Sequence, residues 1–443
     1  MSLLDRWFQL GANGTTVRTE IIAGLTTFLT MAYIIFVQPL VLGAAGMDPG
    51  AVMVATCVSS GIATLLMAFL ANYPIAVAPA MGHNFFFAYT VVVGMRVPWP
   101  IALGAVAVAG LAFILTAGVG LRERVITAIP ESLKHAIAVG IGLLIAMIGL
   151  QWSGLIVASP GTLVTLGPLG TPPVLLALAG LAVMALLVAR GVRGALFWGI
   201  LLTTAGALAF GLARYDGLLG RPPSLAPTLL KLDIPGTLDP GMIAVIFVFF
   251  FLALFDSVGT LVGVAGQAGL MRDGKLPRAR GALMADAVGT VIGAGLGTST
   301  VTAYIESATG VSAGGRTGLA SVATAALFFL SVFLFPLVRM IGGGYRTADG
   351  ATLYPIVAPA LILVGTMMMR GVRSIAWDDP TEAIPAFLTI AVMPLAVSIT
   401  EGMAFGFIAY ALLKLATGRA READWLLYLF AALFVVRYAA IPR

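Results

Sequence analysis

Asp256, in the run FFLALFDSVGTLVG, and Glu306, in TSTVTAYIESATG, are carboxylates set inside otherwise apolar stretches. Taking an ionised carboxylate out of water is costly unless it is paired or hydrogen-bonded. An acid at bilayer depth therefore marks by default a substrate or proton pathway, facing a bundle interior or an aqueous cavity. The competing reading places each acid nearer a membrane surface, or uses it to tie two helices together. That reading is the weaker one, most clearly for Glu306.

The elements that must hold these acids follow from composition. The chain has 443 residues, 60% hydrophobic and 10% charged, with a mean hydropathy of +1.04; soluble domains carry about 25% charge. This is an all-α polytopic membrane protein. A spanning helix takes about 20 residues, and the apolar stretches fall at 19–42, 51–71, 74–94, 98–121, 134–152, 172–190, 194–213, 241–266, 280–296, 298–313, 315–338, 352–370, 383–399 and 401–417, numbered here as segments 1 to 14. No removable leader is evident, because Ile21–Leu42 has full span length and lacks a small-residue cleavage pattern. With the N-terminus cytoplasmic, seventeen of the lysines and arginines fall in cytoplasmic segments and six in outer ones, anchored by MRDGKLPRAR at 271–280. That asymmetry obeys the positive-inside rule, so the net charge of +6 reads as topology and not as a nucleic-acid footprint. Residues 425–440 form either an interfacial helix or a fifteenth span.

Segments 3 and 10 are abnormal and occupy matching places in the two sets of seven. Segment 3 reads NYPIAVAPAMGHNFFFAYTVV, interrupted by Pro74 and Pro79; segment 10 reads GAGLGTSTVTAYIESATG, with three glycines and a polar β-branched run before Tyr304. Proline lacks the helical donor and β-branched residues favour extended backbone. Each segment is predicted to begin as a short strand and end as a half-helix. Lipid tolerates irregular backbone only where protein buries it or a cavity adjoins it, and such a pair in corresponding halves points to a transporter site between inverted repeats. An odd seven-span repeat inverts automatically. RGALFWGIL at 193–201 and EGMAFGFIA at 401–409 echo the same repeat.

Other chemistries are excluded or weak. Cys57 alone cannot form an internal disulfide or thiolate cluster, and His83 and His135 are too few for a zinc-type ligand set. GVAGQAG at 263–269 has no preceding strand and no Walker lysine; the glycines there serve helix packing. No nucleophile stands at sensible spacing from a base, so the chain does not read as an enzyme, and no metal or cofactor is expected.

TEIIAGLTTFLTMAYIIFVQP, NYPIAVAPAMGHNFFFAY, FDSVGTLVG and GTSTVTAYIESATGVSAGGRTGLASV together resemble the AzgA-like purine permeases, a branch of the nucleobase/cation symporter superfamily, over nearly the whole chain. The resemblance implies fourteen segments in two inverted sevens. It implies a core domain (residues 1–121 and 240–340, segments 1–4 and 8–11) and a gate domain (residues 122–239 and 341–443, segments 5–7 and 12–14), with a homodimer contact through the gate. It implies a purine nucleobase (hypoxanthine, guanine or adenine) and a proton as partners, and a multi-pass protein of a bacterial-type inner membrane. The family's acids fall on Asp256 and Glu306 and its third-segment asparagine on Asn84. Where comparable members read GMGLNA, this chain reads AMGHNF from Ala80 to Phe85.

The chemistry suits a base as cargo. A purine offers ring N–H donors, sometimes an exocyclic amine, and a carbonyl; an ionised carboxylate only accepts, whereas an amide both donates and accepts. Glu306 is expected to take paired N–H bonds, Asn84 to bind the base, and backbone N–H groups of a half-helix starting near Tyr304 to meet its carbonyl. Phe255, Phe85, Phe86 and Tyr304 offer flat faces, with core packing an equal alternative for each. Met81 and Ile305 complete the expected lining. A carboxyl out of water holds its proton more tightly, which makes Asp256 the expected proton site, coupled to Glu306. His83 either joins that site or bonds backbone at the broken helix. The flexible joints are expected at 121–134, 214–240 and 339–352, with Gly142 of segment 5 facing the core half-helices. A uracil or xanthine carrier is the nearest rival. A sulfate-type anion carrier suits two acids poorly, since anion sites favour helix N-termini and cations, and a channel would be the non-carrier alternative.

Overall fold

The computed structural model describes residues 3–119, 129–271, 276–347 and 350–440. Arg122, Arg124, Arg272 and Lys275, expected on the cytoplasmic face, lie outside the described residues, as does part of the expected joints at 121–134 and 339–352. Among the described residues, 8 helices are long and apolar enough to cross a membrane, and Ala195–Ala209, Pro380–Leu395 and Trp425–Val436 are shorter apolar helices.

Segments 3 and 10 each begin as a strand and end as a half-helix, as predicted, and the two strands meet. Val77–Pro79 and Val301–Ala303 pair as a two-stranded antiparallel ribbon, Val77 opposite Ala303, Ala78 opposite Thr302 and Pro79 opposite Val301. Ala80 N–H donates to the Thr300 carbonyl at 3.0 Å and Tyr304 N–H to the Ala76 carbonyl at 2.9 Å, closing the ladder at both ends. Half-helices follow: Met81–Phe85, continued by the π-helical turns Phe86–Gly94, and Ser307–Ser312. The second begins at Ser307, later than the sequence suggests, because the Tyr304 N–H is held by the ribbon.

A ribbon this short leaves backbone groups facing away from its partner strand. Thr64, on the segment 2 helix Pro49–Leu70, resolves this for Val77, its hydroxyl accepting the Val77 N–H at 3.0 Å and donating to the Val77 carbonyl at 3.1 Å. Thr290, on the segment 9 helix Ala279–Leu296, does the same for Val301, at 3.2 and 2.8 Å. Segments 2 and 9 are equivalent in the two sevens, as are Val77 and Val301. A local two-fold through the Ala78–Thr302 pair relates the two arrangements.

Around the ribbon, segment 2 packs on segments 9 and 11 and segment 9 on segment 4, and segment 5 (Glu131–Trp152) packs along segments 12 and 13. Segment 1 is split into Val17–Met31 and Ile34–Gly43, with Ile35 and Phe36 turning to i→i+3 bonds just before Pro39, which supplies no helical donor. Glu20 of the first piece, fully buried, caps the segment 11 helix Gly318–Ser331 by accepting the amides of Arg316, Thr317 and Ala320 at 2.9–3.2 Å; a carboxylate is favoured at a helix N-terminus.

Gly142 departs from expectation. It faces segment 12 and not the core: a Cβ there would stand 2.6 Å from Met368 Cβ, and one on Gly365 2.4 Å from the Gly142 carbonyl oxygen. The preceding residue, Ile141, is the one that meets the core, its Cγ2 2.8 Å from where a Gly82 Cβ would lie. The helix Trp425–Ala440, left open by the sequence, packs into the bundle through Phe430, whose ring lies 4.5 Å from Phe247 of segment 8 and 6.3 Å from Phe407 of segment 14.

Replacing Thr64 or Thr290 by valine keeps the shape and leaves a buried N–H and C=O unpaired, each such group costing about 1–3 kcal/mol. The thermal unfolding midpoint of the purified protein is expected to fall for Thr64→Val and Thr290→Val and to stay near wild type for the serine variants. Unchanged midpoints in both valine variants would remove these hydroxyls from the account of the ribbon.

Candidate functional site

Beside the ribbon lies a cavity of about 260 Å³, lined by Gly82 and His83 of segment 3, Lys134, Ile137, Ala138 and Ile141 of segment 5, Phe251 to Thr260 of segment 8, Ile305 of segment 10 and Met368 of segment 12. Pockets for drug-sized ligands run to roughly 300–1,000 Å³, so this one suits a smaller occupant. Larger clefts elsewhere have their acids engaged: Asp216 pairs with Arg339 in one, and Asp48 in another accepts the Ala51 N–H as a helix cap.

Segment 8 is one helix, Pro240–Gln267, and it carries Phe255 and Asp256 to the cavity wall. Asp256 is open to that space, and its Oδ2 accepts the Thr302 hydroxyl at 3.0 Å. Thr302 is the central residue of its strand. The acid is thereby fixed to the ribbon. Glu306 stands four residues on, in the turn before Ser307, half-buried. Its Oε1 accepts the Tyr33 hydroxyl at 2.9 Å, and Tyr33 occupies the break in segment 1. The five residues Thr302 to Glu306 of segment 10 thus hold one carboxylate through a hydroxyl and carry the other, itself bonded by the Tyr33 hydroxyl.

The remaining expected residues divide. His83 and Ile305 line the cavity with Asp256 and Phe255; Ile305 is 55% exposed and His83 3%. Asn84 does not line it. Its Oδ1 accepts the Ser299 hydroxyl and the Gln38 amide, the latter at 3.1 Å, and Gln38 also donates to Thr298 at 2.9 Å. Tyr304 is buried and spends its hydroxyl on the Pro79 carbonyl at 2.5 Å, bracing the opposite strand. Met81 is buried in the apolar core. Phe85 stacks on Tyr89 at 5.7 Å and Phe86 meets Phe249 edge-on at 4.7 Å, so both rings are packing groups.

Several residues that build the site escaped the sequence reading. Lys134, counted there only as a topological charge, lines the cavity with its ammonium 5.5 Å from the centre of the Phe255 ring and 2.7 Å from Glu131. Asp286 is a further buried acid, whose Oδ2 accepts the Ala303 N–H at 3.1 Å. Tyr33 gave one signal, a phenol within an apolar run ahead of Pro39. Thr302 gave none beyond its β-branching.

The family model described as Permease family matches residues 18–405. A permease of Methanocaldococcus jannaschii is 50% identical over 99% of this chain and 98% of its own length. The adenine permease AdeP of Escherichia coli is 44% identical over 99% of this chain and 96% of its own, and the guanine/hypoxanthine permease PbuG of Bacillus subtilis is 44% identical over 98% of each. Among solved structures, the transmembrane domain of the cyanobacterial bicarbonate transporter BicA superposes with a TM-score of 0.65 at 14% identity, over 87% of this chain and 97% of that one. SLC26A9 gives 0.63 at 15% identity over 91% and 66%. At such identities the likeness is one of fold.

The contrast among the acids is testable without any substrate. A hydrophobic carbodiimide, which adds to carboxyls reachable from a cavity, is expected to label Asp256 and to spare Glu20 and Asp286, both fully buried. Mass spectrometry of the digested protein reads the adduct, and Asp256→Asn should abolish it. Labelling of Asp286 with Asp256 untouched would contradict the placement.

Proposed function

The chain belongs to the Permease family, multi-pass membrane proteins that move solutes and do not transform them, and on that premise we propose that it carries purine nucleobases inward across the cell membrane, driven by protons. One observation carries the reading: Asp256 is tied to the ribbon at a cavity sized for a small ring, and Glu306 follows the ribbon three residues on, bonded by Tyr33. Glu306 accepts ring N–H groups of the base, and Tyr33 fixes its orientation. Asp256 takes and releases the proton. Phe255 offers a face for the ring, and His83 and Ile305 bound the remaining space. Asn84, Tyr304 and Met81 act one layer behind, bracing the broken segments.

The movement follows from the same frame. Residues 1–121 and 240–340 form the core and 122–239 and 341–443 the gate, fourteen segments in all, with the N-terminus cytoplasmic. Lys134 then stands at the cytoplasmic start of segment 5, so the cavity it lines opens inward. Alternating access is a near-rigid shift of core against gate, sliding Gly82 past Ile141. A gate-to-gate contact makes the dimer. The fold is shared with bicarbonate and other anion carriers, but two carboxylates repel an anion. A uracil or xanthine carrier would use the same acids, and only uptake separates it.

Uptake of radiolabelled hypoxanthine, guanine, adenine, xanthine and uracil in a transport-deficient host is expected to favour the first three in cross-competition. Glu306→Gln should abolish high-affinity binding, because its amide sets N–H against N–H and strands buried groups at about 1–3 kcal/mol or more; unchanged affinity would take Glu306 out of the site. Asp256→Asn should impair uphill uptake more than exchange, since an amide releases no proton. A normal pH dependence in that variant would assign coupling elsewhere. The double variant Gly82→Cys with Ile141→Cys should crosslink and arrest transport; full uptake after crosslinking would favour a smaller local gate.

A further inference from the structure

The purine reading leaves open how the site treats the six-position of the ring, which is a carbonyl beside a protonated N1 in hypoxanthine and guanine and an amine beside an unprotonated N1 in adenine. The two classes present opposite hydrogen-bond polarity on the same edge. Similarity over the whole chain does not choose between them, since an adenine permease and a guanine/hypoxanthine permease are equally similar to it. The choice must lie in individual side chains of the cavity.

Most polar groups there have one polarity. An ionised Asp256 only accepts and Lys134 only donates. Two lining residues can do either, His83 and Thr260. Thr260 lies one helical turn along segment 8 from Asp256, toward Gln267, whereas His83 is carried on the half-helix that leaves the ribbon. The imidazole is 3% exposed, and its Nε2 has no hydrogen-bond partner among the described residues. A histidine tautomer is normally fixed by the bond that one ring nitrogen makes. Among the described residues no group fixes it, since none of their hydrogen bonds involves the His83 side chain.

We infer that His83 is the group that reads the six-position of the base, and that its unfixed tautomer lets one site accept both 6-oxo and 6-amino purines. The neutral ring donates Nε2–H to O6 of hypoxanthine or guanine. With the proton moved to Nδ1, the same Nε2 accepts from the adenine amine.

The inference rests on the purine reading, and the test separates the two. The chain has 2 histidines, so protein labelled with ¹⁵N-histidine gives a spectrum of His83 and His135, assigned with His135→Gln. The Nε2 signal of His83 is expected to be of the protonated type with hypoxanthine bound and of the unprotonated type with adenine bound. In equilibrium binding to purified protein, His83→Leu should weaken both bases about tenfold, the worth of one hydrogen bond. His83→Gln, whose amide can turn either face, should keep both within a few-fold, and Thr260→Val should leave the adenine-to-hypoxanthine ratio unchanged. The same tautomer with either base, or undiminished affinity in His83→Leu, overturns the inference alone. Wild-type protein that binds neither base overturns the purine reading and this inference with it.

Discussion

A backbone that leaves the helix inside a membrane must find a partner for every N–H and C=O it exposes, because lipid supplies none. The rest of the molecule is arranged around meeting that demand at one place. Two strands of three residues satisfy each other on their facing edges. Their outer edges are satisfied by two hydroxyls, Thr64 and Thr290, each donating and accepting at one valine. Threonine suits the task because a single oxygen can do both. With the ribbon secured, the functional groups have fixed addresses. Thr302 holds Asp256, Ala303 holds Asp286, Tyr304 braces Pro79, and Glu306 follows two residues later.

The acids show how one residue type is divided between support and function. Glu20 accepts three backbone amides and Asp286 accepts one, and both are fully removed from solvent. Asp256 and Glu306 each accept a side-chain hydroxyl and are less enclosed. A carboxylate spent on several amides is a cap, and changing its protonation would unseat a helix. A carboxylate steadied by one hydroxyl can gain or lose a proton and a ligand while the backbone stays where it is. Exposure separates the two pairs, Glu20 and Asp286 being closed off while Asp256 and Glu306 reach solvent.

The sequence made the broken segments legible because Pro74, Pro79, the glycines of segment 10 and its β-branched run each disfavour helix for a local reason. Asp256 and Glu306 were legible because charge is rare in such surroundings. What stayed hidden depends on direction in space. Thr64 and Thr290 resemble any threonine of a membrane helix, which ordinarily bonds its own helix, as Thr56 does at Val52. Lys134 counts toward topology by position, and only the fold turns it to the cavity. Gly142 and Ile141 are neighbours, and the rotation of segment 5, set by its close approach to Gly365, decided which of them meets the core. Asn84 was read by its place in a motif, whereas its carbonyl is already engaged by Gln38 and Ser299.

The likeness to anion carriers places a further constraint on how such a fold takes its cargo. Two half-helices meeting at a ribbon direct their N-terminal ends toward the centre, an arrangement that favours negative charge. In this chain the charge is supplied by the protein itself, through Glu306 at the start of one half-helix and Asp256 beside it, so the same field that would draw an anion steadies side-chain carboxylates. Two carboxylates so placed suit a donor of hydrogen bonds better than a second anion. The backbone alone does not set the charge at this centre; the acids do, held by the hydroxyls of Tyr33 and Thr302.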